Sequence, residues 1–295
     1  MPKTKILIAI DEPERAKIIV DTVCNFIDSQ NTEITLVNVI ETNISEESYF
    51  YSEPEKFINH EAEKSVFAEI EAFLENSAID YKGFLYKEGN AAKIISKLCE
   101  GYDLLVIGSH NKNPIERLLL GSVAYKLIRT AKTSVLVVNN KYMPQSLDKP
   151  TFSALMGVDF SESSVYTAEN LHKFLNKNKA EITLLHVAVE PSLIIPPDVY
   201  IYIDMAKIIE ETNKVSENLL CLIENKLKET GLNVVKKYFI QGSVASQLID
   251  ESNKNDNDLI VVGAQGKGRF GRWMLGSVSS KIAEQSRQPV LIIKE

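Results

Sequence analysis

The sequence predicts an α/β protein made of two tandem copies of one domain, each a five-stranded parallel sheet flanked by helices. Three observations carry this. Short, apolar, β-branched runs alternate with stretches of helical periodicity, the pattern of βαβ units whose sheet is buried on both faces. The same runs recur at nearly constant offset in the two halves of the chain. With 295 residues, 44% hydrophobic and 25% charged, the chain suits two ordinary globular domains and not a disordered segment.

The first strand is read at Lys5-Ile6-Leu7-Ile8-Ala9-Ile10-Asp11 and again, 148 residues later, at Ser153-Ala154-Leu155-Met156-Gly157-Val158-Asp159. A helix follows it in the first copy, with Ala16, Val20, Val23, Cys24 and Ile27 on one stripe. The second strand, Glu33 to Val39, matches Glu181 to Val187 at the same offset. Tyr49-Phe50-Tyr51 and Val199-Tyr200-Ile201-Tyr202-Ile203 fall in the connections beyond it, and burial between the halves is expected for them rather than a ligand lid. The second helix of the second copy carries a predicted core stripe of Val215, Leu219, Leu222 and Ile223. The fourth strand, Asp103 to Gly108, matches Asp258 to Gly263 at an offset of 155, as do Gly121-Ser122-Val123 with Gly276-Ser277-Val278 and Val135–Val138 with Val290–Ile293. The second copy is therefore seven residues longer between its second and fourth strands. Residues 1–143 and 151–295 are the expected domains, with the proline-bearing stretch 144–150 as linker. The last strand of each copy would leave an apolar edge exposed, so the two edges are expected to pair, giving an intrachain pseudo-dimer.

A net charge of −7 disfavours binding to a long phosphate backbone, so no nucleic-acid partner is expected. The longest apolar runs are five residues, against the ~20 that a membrane-spanning helix needs. The first residues lack the apolar core and cleavage site of a signal peptide, which points to a cytoplasmic protein. Cys24, Cys99 and Cys221 have no paired spacing and sit in apolar helical patterns, so reduced core thiols are expected. The histidines His60, His110, His172 and His186 show no metal-ligand spacing, and no catalytic triad can be assembled around them.

The sharpest local motif is Gly263-Ala264-Gln265-Gly266, nine residues, then Gly276-Ser277-Val278-Ser279 opening a helix. Glycines after a strand let the backbone approach a ligand, and a helix N-terminus aims bare N–H groups and its positive dipole end at an anion. Ser277 stands where it would cap that helix, a role compatible with anion contact. The nine-residue loop carries Lys267, Arg269 and Arg272 and no acid, a local charge of +3. Asp159, ending the first strand, would reach the same crevice at the carboxyl edge of the sheet or cap the following helix. No Gly-Lys-Ser/Thr follows the first glycines, so this is not a Walker loop.

This Gly-x₂-Gly-x₉-Gly-Ser spacing after a fourth strand, with an Asp ending the first strand and Leu185-His186-Val187 ending the second, resembles the universal stress protein family over nearly the whole chain, as two tandem domains. The resemblance implies a Rossmann-like fold of the adenine nucleotide alpha hydrolase-like kind. It also implies ATP as ligand, with or without Mg²⁺. On that resemblance Asp159 bonds the ribose, the Val187 backbone meets the adenine edge, Val262 and Gly263 flank the nucleoside, and Gly266, Gly276, Ser277, Val278 and Ser279 surround the phosphates.

The first copy keeps the spacing as Gly108-Ser109-His110-Asn111, nine residues, then Gly121-Ser122-Val123-Ala124. Asn111 replaces a glycine, Ala124 replaces Ser279, and the loop carries Lys112 and Arg117 against Glu116. Asp11, Val39, Gly108, Asn111, Gly121, Ser122 and Val123 thus form a weaker second candidate site. The function implied is a stress-response regulatory module, self-association into a homodimer being one form it can take. A slow ATPase and a nucleotide-independent scaffold are the alternatives; the sequence supplies no catalytic base for the first.

Overall fold

The computed structural model of the chain describes residues 2–11, 13–40, 60–76, 78–109, 120–139, 142, 149–188, 205–266 and 275–295. The aromatic segments at 49–51 and 199–203, the basic loop at 267–274 and most of the 144–150 stretch lie outside these residues. In the first half the order is β1 (Thr4–Ala9), α1 (Pro13–Phe26), β2 (Thr32–Ile40), α2 (His60–Glu75), β3 (Asp80–Glu88), α3 (Ala91–Leu98), β4 (Leu104–Gly108), α4 (Ser122–Thr130) and β5 (Ser134–Val138). The second half repeats it as β6 (Phe152–Val158), α5 (Glu162–Asn170), β7 (Ala180–Ala188), α6 (Met205–Glu229), β8 (Asn233–Gln241), α7 (Val244–Lys254), β9 (Leu259–Gly263), α8 (Ser277–Gln285) and β10 (Val290–Ile293).

Within each half every strand pairing is parallel. The halves then join through β5 and β10, which pair antiparallel with Val290 opposite Val137, Leu291 opposite Leu136 and Ile292 opposite Val135. One ten-stranded sheet results, in the order β3-β2-β1-β4-β5-β10-β9-β6-β7-β8. Alternate side chains of each strand enter opposite layers, as the two-residue period requires. Ile6 and Ile8 pack in a layer with α1, α2, α5 and α6, while Leu7 packs in the other with α3, α4, α7 and α8.

The repeat extends to a polar brace. Asp103 accepts the Lys5 N–H at 2.8 Å, and its counterpart Asp258 accepts the Ser153 N–H at 2.9 Å, so in each half the residue before the fourth strand fixes the start of the first. Between the halves, Phe26 of α1 lies against Phe152 of β6 with ring centroids 4.9 Å apart, both buried. Burying such a ring contributes about 1.5–3 kcal/mol. Asn139 Nδ2 donates to Gln288 O at 2.8 Å, again across the seam.

Two expectations about α6 and the cysteines need correction. The buried stripe of α6 is Ser216, Leu219, Leu220, Ile223 and Leu227, whereas Val215 and Leu222 are 49% and 48% exposed. Apolar residues on this helix cover two neighbouring stripes, and the sheet meets only one of them. Cys221 falls on the uncovered side, exposed, with its sulfur 3.3 Å from Lys237 Nζ. Cys99 is buried and Cys24 half-buried, and burial pushes the Cys24 thiol up to about 12. Among the described residues no helix is long and apolar enough to cross a membrane.

Lys294, just past β10, donates from Nζ to Ile128 O at 2.8 Å and Ala131 O at 2.6 Å, capping the carboxyl end of α4 in the other half. Burial lowers its ammonium from the usual lysine range to about 8. Since the unfolded chain keeps the higher value, the buried charge costs stability below pH 8, and that cost shrinks as pH rises from 8 towards 10.5. Urea unfolding at pH 7.5 and pH 9 should therefore show the native sequence gaining about 1 kcal/mol relative to Lys294→Met over that interval. An identical pH response in the two proteins would rule out a depressed Lys294.

Candidate functional site

A cleft of about 1010 Å³ opens at the carboxyl ends of β6, β7 and β9, within the second half's crevice. Its floor is set by Asp159, directly after β6. Asp159 Oδ1 accepts from Ser161 N at 3.0 Å, from Ser164 Oγ at 2.9 Å and from Ser161 Oγ, while the Asp159 N–H donates to Ser164 Oγ at 2.9 Å. This closed turn fixes the carboxylate and leaves Oδ2 with no hydrogen-bond partner among the described residues. A Cβ on Gly266 would stand 3.0 Å from Oδ2, so the second glycine of the loop passes directly over the carboxylate.

The helix-capping reading of Asp159 is corrected by this geometry: the N-cap of α5 is Ser161, whose side chain accepts from Ser164 N. Ser277 is likewise not a cap. Gly276 is the N-cap of α8, without any side-chain capping bond, and Ser277 is the first helical residue. The first intrahelical bond at that end is Ser280 N to Gly276 O at 3.0 Å, so the N–H groups of Ser277, Val278 and Ser279 precede the ladder. A Cβ on Gly276 would press on Ala264 O at 3.2 Å, which explains glycine at the point where loop and helix close on each other. Ser279 is buried and donates its hydroxyl to Gly263 O at 2.7 Å, tying α8 to the end of β9 instead of leaving that proton for a ligand.

His186 is buried, and its Nδ1 lies 2.8 Å from Val158 O, which makes Nδ1 the protonated ring nitrogen and the histidine a brace for the strand end. Phe160 stands edge-on to it at 5.2 Å. Val187, Val262, Val244, Leu248 and Leu275 supply apolar walls. Among the described lining residues Asp159 and Glu211 carry negative charge, and the one cation is Arg129, from α4 of the other half.

Residues 3–139 and 153–294 each match the model of the universal stress protein family. The chain belongs to that family. It is 24% identical over 209 residues to a universal stress protein of Mycolicibacterium smegmatis, covering 70% of this chain and 67% of that one. It is also 30% identical over 145 residues to a universal stress protein of Bacillus subtilis, a match of 48% of this chain to 95% of the relative. The crystal structure of a universal stress protein from Archaeoglobus fulgidus superposes over 100% of this chain and 97% of its own at a TM-score of 0.65 and 17% identity, a likeness of fold.

All nine residues that the family resemblance singled out in the second half, Asp159, Val187, Val262, Gly263, Gly266, Gly276, Ser277, Val278 and Ser279, line the one cleft. In the first half Gly108 ends β4, Gly121 caps α4 without a side-chain bond, and Ser122 and Val123 open that helix, while Val39 is half-buried in β2. Asn111 lies outside the described residues. At the positions that match Ser161 and Ser164 the first half carries Pro13, which lacks an N–H, and Ala16, which lacks a hydroxyl. Sequence reasoning missed Ser164, Phe160, Glu211, Thr212, Val215 and Arg129 as residues of the cleft, and Ser161 as a brace of Asp159. The serine pair was readable as a turn signal after Asp159; Arg129 was not, because it comes from the other half.

Gly263 allows a direct test of this packing. A Cβ there would overlap Ser163 Oγ and approach Ser163 O at 3.3 Å, while at Gly108 it would meet only the end of the Ile19 side chain at 3.2 Å. Gly263→Ala should cost about 1–3 kcal/mol in chemical denaturation, and Gly108→Ala clearly less. Equal losses would contradict the tight fit around Ser163.

Proposed function

We propose that the second half binds ATP or another adenine nucleotide in this cleft, and that the chain acts as a ligand-responsive regulatory module of the stress-protein type. One observation carries the reading. The uncommitted Oδ2 of Asp159 and the bare N–H groups at the start of α8 face one space, with Gly266 and Gly276 keeping it clear of side-chain atoms.

A carboxylate oxygen is the acceptor that sugar hydroxyls need, and helix N–H groups are the donors that phosphate oxygens need. The apolar walls at Val187 and Val262 suit the faces of a purine. The backbone N–H groups of Ser277, Val278 and Ser279 would hold the phosphates, and Asp159 the ribose. Ser279 acts chiefly by fixing α8 to β9 through its bond to Gly263 O. The sequence after Gly266 adds Lys267, Arg269 and Arg272, whose positive charge suits the same polyanion.

Isothermal titration with ATP tests the reading. Asp159→Asn keeps an oxygen for the Ser161–Ser164 turn but removes the charge, and it should weaken ATP binding by about tenfold or more. Asp11→Asn should leave binding unchanged. Equal effects from both, or no binding by the native chain, would overturn the assignment to the second half. Mass spectrometry of small molecules released by denaturing freshly purified protein would name the ligand, and an adenine nucleotide is the expected result.

A further inference from the structure

Among the described residues, Arg129 is the one lining residue of the second half's cleft that belongs to the first half. Its place follows from the seam. Because β5 and β10 are antiparallel, the carboxyl edge of the second sheet coincides with the amino edge of the first, and α4, running back from β4 to β5, ends at that edge. Lys294 then clamps the last turn of α4 through Ile128 O and Ala131 O, on either side of Arg129. The guanidinium is steadied from its own helix. Arg129 donates to Tyr125 Oη at 3.1 Å and lies 5.2 Å from the Tyr125 ring centroid. No carboxylate among the described residues pairs with it.

The repeat supplies a contrast. Residue 129 corresponds to Glu284 and residue 125 to Ser280, and in the second half Ser280 Oγ donates to Glu284 Oε1 at 3.1 Å. The same helical position thus carries an arginine presented to the second half's cleft and a glutamate in the copy related by the repeat. A guanidinium favours a polyanion by bidentate hydrogen bonding, and a carboxylate repels one.

We propose that Arg129 is a specificity-determining residue of the second half's site, contributed across the seam, which selects ligands bearing a di- or triphosphate over the uncharged nucleoside. The inference rests on the nucleotide reading above. It makes the site composite, since the first half supplies a phosphate-facing charge to the second, and it gives the tandem arrangement a role beyond burying strand edges. A bound polyphosphate would bridge the halves through α8 on one side and α4 on the other.

The test is titration of the full chain with ATP and with adenosine, for the native sequence, Arg129→Gln and Lys126→Gln. Lys126 is exposed on the same helix and does not line the cleft, so its variant controls for net charge. Arg129→Gln should weaken ATP by about tenfold while changing adenosine by less than twofold, and Lys126→Gln should change neither. If the native chain binds ATP and Arg129→Gln binds it equally well, or loses ATP and adenosine in parallel, the role of Arg129 is refuted and the nucleotide reading stands. If the native chain binds neither ligand, both fail. Unchanged thermal unfolding of the unliganded Arg129→Gln protein separates loss of contact from loss of fold.

Discussion

Three residue pairs, Val290–Val137, Leu291–Leu136 and Ile292–Val135, join two parallel five-stranded sheets into one sheet of ten. Each strand in this seam would otherwise expose an apolar edge with unsatisfied backbone groups, so the pairing answers a constraint that each half carries alone. All six side chains are buried. Because the pairing is antiparallel, the ligand-facing edges of the two halves point in opposite directions, and each crevice looks onto the back of the neighbouring half's last helix. Lys294 and Arg129 follow from that single geometric fact: the end of β10 meets the end of α4, one residue capping its carbonyls and the other lining the cleft.

The halves share a backbone plan, and at the crevice a few side chains distinguish them. Both have a glycine N-cap at the helix after the fourth strand, with no side-chain cap, so an anion-ready helix end is present in each. What separates them lies around it. Ser161 and Ser164 pin Asp159, whereas Pro13 and Ala16 offer Asp11 nothing equivalent; Ser279 ties α8 to β9, whereas Ala124 cannot tie α4 to β4 in this way. These polar differences leave the core intact, since the core depends on alternating apolar residues that both halves carry. The chain belongs to the universal stress protein family by both of its halves.

Much of this was legible in the sequence because the strands are buried on both faces. Runs such as Leu104-Leu105-Val106-Ile107 and Leu259-Ile260-Val261-Val262 admit few other readings, and their repetition fixed the two-domain plan and the paired edges. The glycine spacing likewise located Gly263, Gly266, Gly276, Ser277, Val278 and Ser279 in the cleft, and the strand end and the family resemblance added Asp159, Val187 and Val262. Periodicity alone failed on α6, where Val215 and Leu222 share an apolar arc with Leu219 and Ile223 but only the Leu219–Ile223 side of it is buried, and Cys221 lies on the helix face turned away from that side. Ser279 was read as a ligand donor because sequence cannot say which acceptor a hydroxyl will find, and Gly263 O is nearer to hand. Arg129 was hidden because a residue acting across a seam leaves no local spacing to read.

The direct measure of an asymmetric tandem protein is its stoichiometry. Native mass spectrometry of the full chain titrated with ATP counts occupied sites on each molecule without reference to which residues hold them. One nucleotide per chain at saturation is the predicted mass. Two per chain would show that the first half's altered crevice is still competent, and none would show that neither half is a nucleotide site; either result contradicts a chain with one complete cleft.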